Sequence, residues 1–91
     1  MHGLIVEDAA ERFLKKLDRH EQERVVAKLE DLQKNPRLGK PLVGNLAGLW
    51  ELRVGSLRAI YKVVEQELVI LVLDLDYRKR VFGRKWKKRK R

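Results

Sequence analysis

Arg53 and Arg58 flank a Gly55-Ser56 pair, in a stretch where apolar and polar side chains alternate. Glycine at the first central position suits a two-residue type II′ hairpin turn. Closing the chain there pairs Val54 with Leu57, Arg53 with Arg58, Leu52 with Ala59, Glu51 with Ile60 and Trp50 with Tyr61. Side chains alternate along a strand, so one face holds Trp50, Leu52, Val54, Leu57, Ala59, Tyr61 and Val63, a core set. The other carries Glu51, Arg53, Arg58 and Lys62. Two arginines directly opposite each other repel, a pairing sheets ordinarily avoid. Two arrangements relieve it. In one, the forked guanidiniums share the oxygens of a bound phosphate and form an anion clamp, with Arg78 beside the same face. In the other, Glu51 and Asp74 bridge the arginines in a surface ion-pair network.

Elsewhere the charge is segregated. The 91 residues carry 22 Lys+Arg, 13 Asp+Glu and a formal net charge of +9. All thirteen acids and twelve of the basic residues fall in 1–76, so that part is nearly neutral, while 77–91 hold ten basic groups and no acid. Such a run attracts phosphate by counterion release, and Trp86 within it can stack on a base. An acidic protein partner or a merely solubilising tail would also fit the run, whereas a membrane surface fits poorly because the run has almost no apolar face.

The absence of cysteine excludes disulfides and thiolate chemistry, and the two histidines, His2 and His20, lack ligand spacing and look incidental. The longest apolar run, Leu68 to Leu73, is far short of the ~20 residues that span a bilayer, and no charged-then-apolar signal pattern opens the chain. A cytoplasmic location is expected. A chain this short buries a small core, which places function on an exposed face rather than in a large enclosed cavity.

The elements that must position the arginines follow from periodicity. Gly3 to Val6 reads as a short apolar strand, and Glu7 and Asp8 suit a first helical turn. Ala10, Phe13, Leu14 and Leu17 form one helical stripe. Asp18 caps a second helix, Arg19 to about Gln33, with Val25, Val26, Leu29 and Leu32 inward, and Asn35-Pro36 ends it. Arg37 to Gly48 reads as a loop packed on the surface. Leu49 to Val54 and Leu57 to Val64 are the hairpin strands, and Leu68 to Leu73 a central strand covered on both faces. The expected fold is α+β: two N-terminal helices packed on a largely antiparallel four-stranded sheet in the order β-α-α-β-β-β, followed by a basic C-terminal tail.

Taken in order, Asn35-Pro36-Arg37-Leu38-Gly39-Lys40-Pro41-Leu42, Gly48-Leu49-Trp50-Glu51-Leu52-Arg53-Val54-Gly55, Leu57-Arg58-Ala59-Ile60-Tyr61, Leu68 to Leu73 and Arg78-Lys79-Arg80-Val81-Phe82 give the chain a family likeness. It resembles the RelE/ParE superfamily of toxin–antitoxin toxins, most nearly the RelE branch. The resemblance implies a toxin domain over 1–82 with a basic tail over 83–91. It also implies a toxin that enters the ribosomal A site, cleaves messenger RNA and is silenced by a cognate antitoxin. By the same resemblance Arg53, Arg58 and Arg78 are the catalytic basic residues, with Arg58 at the scissile phosphate. Lys40, Lys62 and Arg80 add contacts to the RNA, while Phe82 and Trp86 are stacking candidates. Glu51 stands where the type members have lysine, and Phe82 where they often have a tyrosine used in stacking and proton transfer.

The implied reaction is attack of a ribose 2′-OH on the adjacent phosphate. It needs a base, positive charge for the phosphorane and an acid for the 5′-oxygen, but no metal or cofactor. Glu51 is the candidate general base, or else the ion-pair partner holding the arginines apart. Tyr61 is excluded as the acid by its core-facing parity. Two other functions remain open at this point. One is a non-catalytic toxin, either a ParE-type inhibitor of DNA gyrase or a degenerate ribosome binder; the other is a plain nucleic-acid-binding module carried by the tail.

Overall fold

The computed structural model describes residues 1–77. Arg78, Arg80, Phe82, Trp86 and the basic tail lie outside the described residues. Strand β1 (Gly3–Val6) leads into helices α1 (Asp8–Lys16) and α2 (Arg19–Lys34), then β2 (Lys40–Pro41), β3 (Trp50–Val54), β4 (Leu57–Val64) and β5 (Val69–Tyr77). The sheet order is β1-β5-β4-β3-β2. All neighbours are antiparallel except β1 and β5, which run parallel.

The expected α+β order is present, but the sheet has five strands rather than four. The added strand, β2, is a two-residue piece of the segment expected to be all loop, too short to show any periodicity. Strand β5 begins one residue after the expected start and continues through Asp74 and Asp76 to Tyr77. The apolar run stops at Leu73, but the main-chain ladder with β4 does not depend on side-chain polarity. Leu68 lies outside the strand with φ +53, a left-handed conformation that closes the turn after a 3₁₀ segment at Glu65–Glu67.

Helix α2 starts where Asp18 accepts a hydrogen bond from the Glu21 N–H at 2.8 Å. Val25, Leu29 and Leu32, at i, i+4 and i+7, are buried. Val26 is exposed, contrary to expectation, because one residue of helix turns it about 100° away from that stripe. Ala10 on α1 and Leu17 just after it join α2 against Leu52, Val54, Leu57, Ala59, Tyr61, Ile70, Val72 and Leu75. Both helices therefore cover one face of the sheet. On the outer face, Leu42, Leu46 and Leu49 fold over Ile60. This coverage is local, so β5 is shielded mainly on its helix face, where Ile70 and Val72 are buried while Val69, Leu71 and Leu73 are only partly so. Among the described residues, no helix is long and apolar enough to cross a membrane.

Two close contacts fix the segment before β2. The buried Tyr61 hydroxyl donates to the Pro36 carbonyl at 2.8 Å and accepts from the Gly39 N–H at 3.0 Å. A Cβ on Gly39 would collide with the Glu51 carbonyl oxygen and lie 2.8 Å from the Tyr61 hydroxyl, so only glycine lets the chain pass this close.

Candidate functional site

The β3–β4 turn sets the register of the site. Gly55 has φ +61, and Leu68 is the only non-glycine with positive φ among the described residues, so Ser56 does not share it. That combination is a type II′ turn. The pairs are those read from the sequence, with Arg53 opposite Arg58 and Glu51 opposite Ile60.

Strand β5 extends these pairs into rows across the outer face. One row runs Arg53, Arg58, Asp76; the next runs Lys40, Glu51, Ile60, Asp74. A bulge between Ile60 and Tyr61 shifts the β4–β5 register, with Tyr61 facing Val72. It places Leu73 as the unpaired residue and turns Asp74 and Asp76 to the outer face. Asp76 is therefore the cross-strand neighbour of Arg58, while Asp74 lies opposite Ile60. Both carboxylates are buried, and each accepts a hydrogen bond from the next main-chain N–H: Leu75 for Asp74 at 2.9 Å and Tyr77 for Asp76 at 2.7 Å. The bulge is the reason parity could not show which aspartate meets the arginine.

Glu51 resolves the repulsion between the arginines. Its Oε2 lies 2.8 Å from Arg58 Nε and 3.3 Å from Arg53 Nε. The two contacts differ in kind. Arg53 directs its Nε–H at the oxygen as a hydrogen bond, whereas the Arg58 Nε–H points off that direction and the contact is one of charge. The side chains of Glu51 and Arg58 are 9% and 12% exposed, against 53% for Arg53. The buried half of the cluster is thus the Arg58–Glu51 pair, screened from water, and Arg53 is its solvent-facing arm.

Of the other sequence-derived candidates, Lys40 lies beside Glu51 at the sheet edge. Lys62 sits opposite Leu71, beyond the apolar cap on Ile60 and about 13 Å along the strand from Arg58. The structure does not bring it to the arginine pair. Tyr61 is buried on the helix face, stacked on Trp50 with ring centroids 6.0 Å apart. Burial raises its pKa above the ordinary tyrosine value of 10.0, although the Gly39 N–H opposes that effect. It is part of the core, as its parity indicates. Two contributors were missed in the sequence. Asp76 depends on the bulge, and Lys28 of α2 meets Lys40 and Arg53 at a groove on the edge of β3. Lys28 follows the buried stripe residue Val25 by three positions, but nothing in the helix pattern tells which strand edge it overlooks.

Chemically, the outer face offers two guanidiniums that share one carboxylate oxygen. A phosphodiester presents the same acceptor geometry as that carboxylate, so it can take the place of Glu51 between them.

The fold agrees with the comparisons. A family model described as the ParE toxin of the type II toxin–antitoxin system parDE matches residues 4–82. Toxin RelG of Mycobacterium tuberculosis is 34% identical over 55 residues, and the matched part covers 59% of this chain and 63% of the length of that curated relative. The toxin–antitoxin complex RelBE2 from Mycobacterium tuberculosis contains a chain with TM-score 0.77 and 32% identity, covering 85% of this chain and 91% of that one. The isolated RelE toxin of E. coli superposes with TM-score 0.75 at 21% identity, over 91% of this chain and 93% of its own, which is a likeness of fold. The chain belongs to the ParE toxin family of type II toxin–antitoxin systems, within the RelE/ParE superfamily.

Proposed function

We propose that the toxin is a ribosome-dependent endoribonuclease that inhibits translation by cutting messenger RNA in the ribosomal A site. A cognate antitoxin would hold it silent in the cytoplasm. The observation that carries this reading is the Arg53–Arg58 pair, facing each other on the outer face with Glu51 between them.

In this reading the scissile phosphate displaces Glu51 and is held by Arg58, while Arg53 supplies charge to the pentavalent phosphorane. The ribose 2′-oxygen bonds to phosphorus as the P–O5′ bond breaks, giving a 2′,3′-cyclic phosphate. One proton leaves the 2′-OH and another reaches the 5′-oxygen. Arg78 and Arg80 contribute further cations, Phe82 and Trp86 supply stacking, and the phenyl ring of Phe82 has no proton to donate. Glu51 acts chiefly as the counter-ion of the resting site. As a general base it would first have to leave both guanidiniums.

The test is primer extension on messenger RNA in a purified translation system, with the wild-type protein beside Arg58→Ala. Discrete A-site cuts that fall by about 10²- to 10³-fold in a variant with an unchanged circular-dichroism spectrum are expected. Full cleavage by the variant overturns the assignment of Arg58. A second reading, gyrase inhibition of the ParE type, is favoured by the description of the matching family model. It predicts loss of DNA supercoiling with messenger RNA left intact, and unchanged supercoiling in the presence of the toxin counts against it.

A further inference from the structure

The edge of β3 carries a second cluster of cations, which shares Arg53 with the arginine pair. A groove of about 250 Å³ opens there, lined by Lys28, Leu38, Gly39, Lys40, Glu51, Leu52 and Arg53. Its three cations come from three elements: α2, β2 and β3. The lining contains one carboxylate, Glu51, which is already shared by Arg53 and Arg58. Among the described residues, no ion pair occupies Lys28 or Lys40.

The main chain adds a donor. In a two-residue hairpin the residues next to the turn form the hydrogen-bonded pair, here Val54 and Leu57, and bonded and non-bonded pairs alternate from there. Arg53 is therefore in a non-bonded pair with Arg58, and its N–H and C=O point away from β4. Strand β2 ends its pairing at Lys40 with Glu51, two residues short of meeting them. The Arg53 N–H thus opens toward the groove along with its own guanidinium and two lysines.

We infer that this groove is a second phosphate subsite for single-stranded RNA, taking the phosphodiester next along the strand from the one at Arg58. The inference rests on the endoribonuclease reading for the first phosphate. Arg53 links the two positions, with its guanidinium beside Glu51 and Arg58 and its main chain at the groove. A polyanion with regularly repeating charges suits two adjacent cation clusters better than an isolated carboxylate does. The gap left by the short β2 is what exposes the donor.

The test measures binding of a 2′-O-methyl oligoribonucleotide, which lacks the attacking hydroxyl, to the full chain. Fluorescence anisotropy over a salt series is combined with the amide shift of Arg53 in proton–nitrogen NMR spectra. For Lys28→Ala/Lys40→Ala, the slope of log K against log salt should become shallower by about 0.7, the loss of one single-strand phosphate contact. The Arg53 amide shift should shrink as well. Alanine is favoured in a helix, so Lys28→Ala leaves α2 intact. The charge-matched control Lys16→Ala/Lys34→Ala, whose side chains do not line the groove, should keep the Arg53 shift. If Arg58→Ala weakens binding while the groove variant matches wild type, the subsite is refuted and the endoribonuclease reading stands. If the groove variant loses binding and Arg58→Ala does not, the first phosphate is misassigned. RNA binding that survives in the groove variant, with loss of a poly-glutamate peptide instead, would overturn the RNA subsite in favour of an acidic protein segment.

Discussion

Arg58 and Arg53 illustrate how a locally unfavourable pairing survives when a third residue is placed to relieve it. At an effective dielectric near 20, opposite charges 4 Å apart attract by ~4 kcal/mol, and Glu51 approaches both arginines within that distance. The same attraction keeps a phosphate out until the carboxylate yields. Glu51→Gln keeps the shape and removes the charge. It should raise affinity for the non-cleavable RNA by about tenfold, ~1.4 kcal/mol, a fraction of the Coulomb figure because Arg53 is half exposed and screened. Anisotropy titration checks this, and cleavage by the same variant separates two roles for Glu51. A counter-ion leaves the rate undiminished, whereas loss of a general base lowers it by about 10²- to 10⁴-fold.

At the scale of elements, the site depends on three devices that stop or deflect strands. The type II′ turn sets Arg53 against Arg58, the bulge after Ile60 swings Asp76 alongside Arg58, and the close pass of Gly39 positions Lys40 beside Glu51. The last is the most vulnerable to a single methyl group. Gly39→Ala places a Cβ against main chain rather than a yielding side-chain tip, and overpacking of that kind costs about 1 to 3 kcal/mol. Urea denaturation should show that loss. Because the shifted segment carries Lys40, RNA affinity should fall even where the protein remains folded. Unchanged stability would mean that the chain before β2 relaxes freely and does not hold the groove.

Across the whole molecule, one helix layer and one sheet enclose a single core, and Tyr61 ties that core to the segment leading to β2. Its hydroxyl serves both the Pro36 carbonyl and the Gly39 N–H, so Tyr61→Phe should cost about 1 to 3 kcal/mol. Burial raises the Tyr61 pKa above the unfolded value of 10.0, so the neutral phenol is the form the fold favours. Its contribution is therefore complete below pH 10 and is lost as the pH rises through the folded value. Wild-type stability in urea should fall as the pH rises above about 10, and that fall should be smaller in Tyr61→Phe, which has nothing to ionise at this position. An equal fall in both proteins would overturn Tyr61 as the source of the alkaline loss.

The amino-acid sequence by itself determined the two helices, the hairpin register and the facing arginines. Each rests on interactions within a few residues: a 3.6-residue stripe, an aspartate cap and a glycine that accepts positive φ at the turn. The Glu51 bridge was legible as one of two alternatives. Only the tertiary structure decided that Asp76 and not Asp74 lies across from Arg58, because a single bulge displaces every later partner on β5. Likewise, the meeting of Lys28 with Lys40 and Arg53 depends on how α2 lies over the sheet, and the burial of Ile60 depends on a loop folding back across the outer face. Contacts between distant segments are set by packing of the whole core, and no local periodicity carries them.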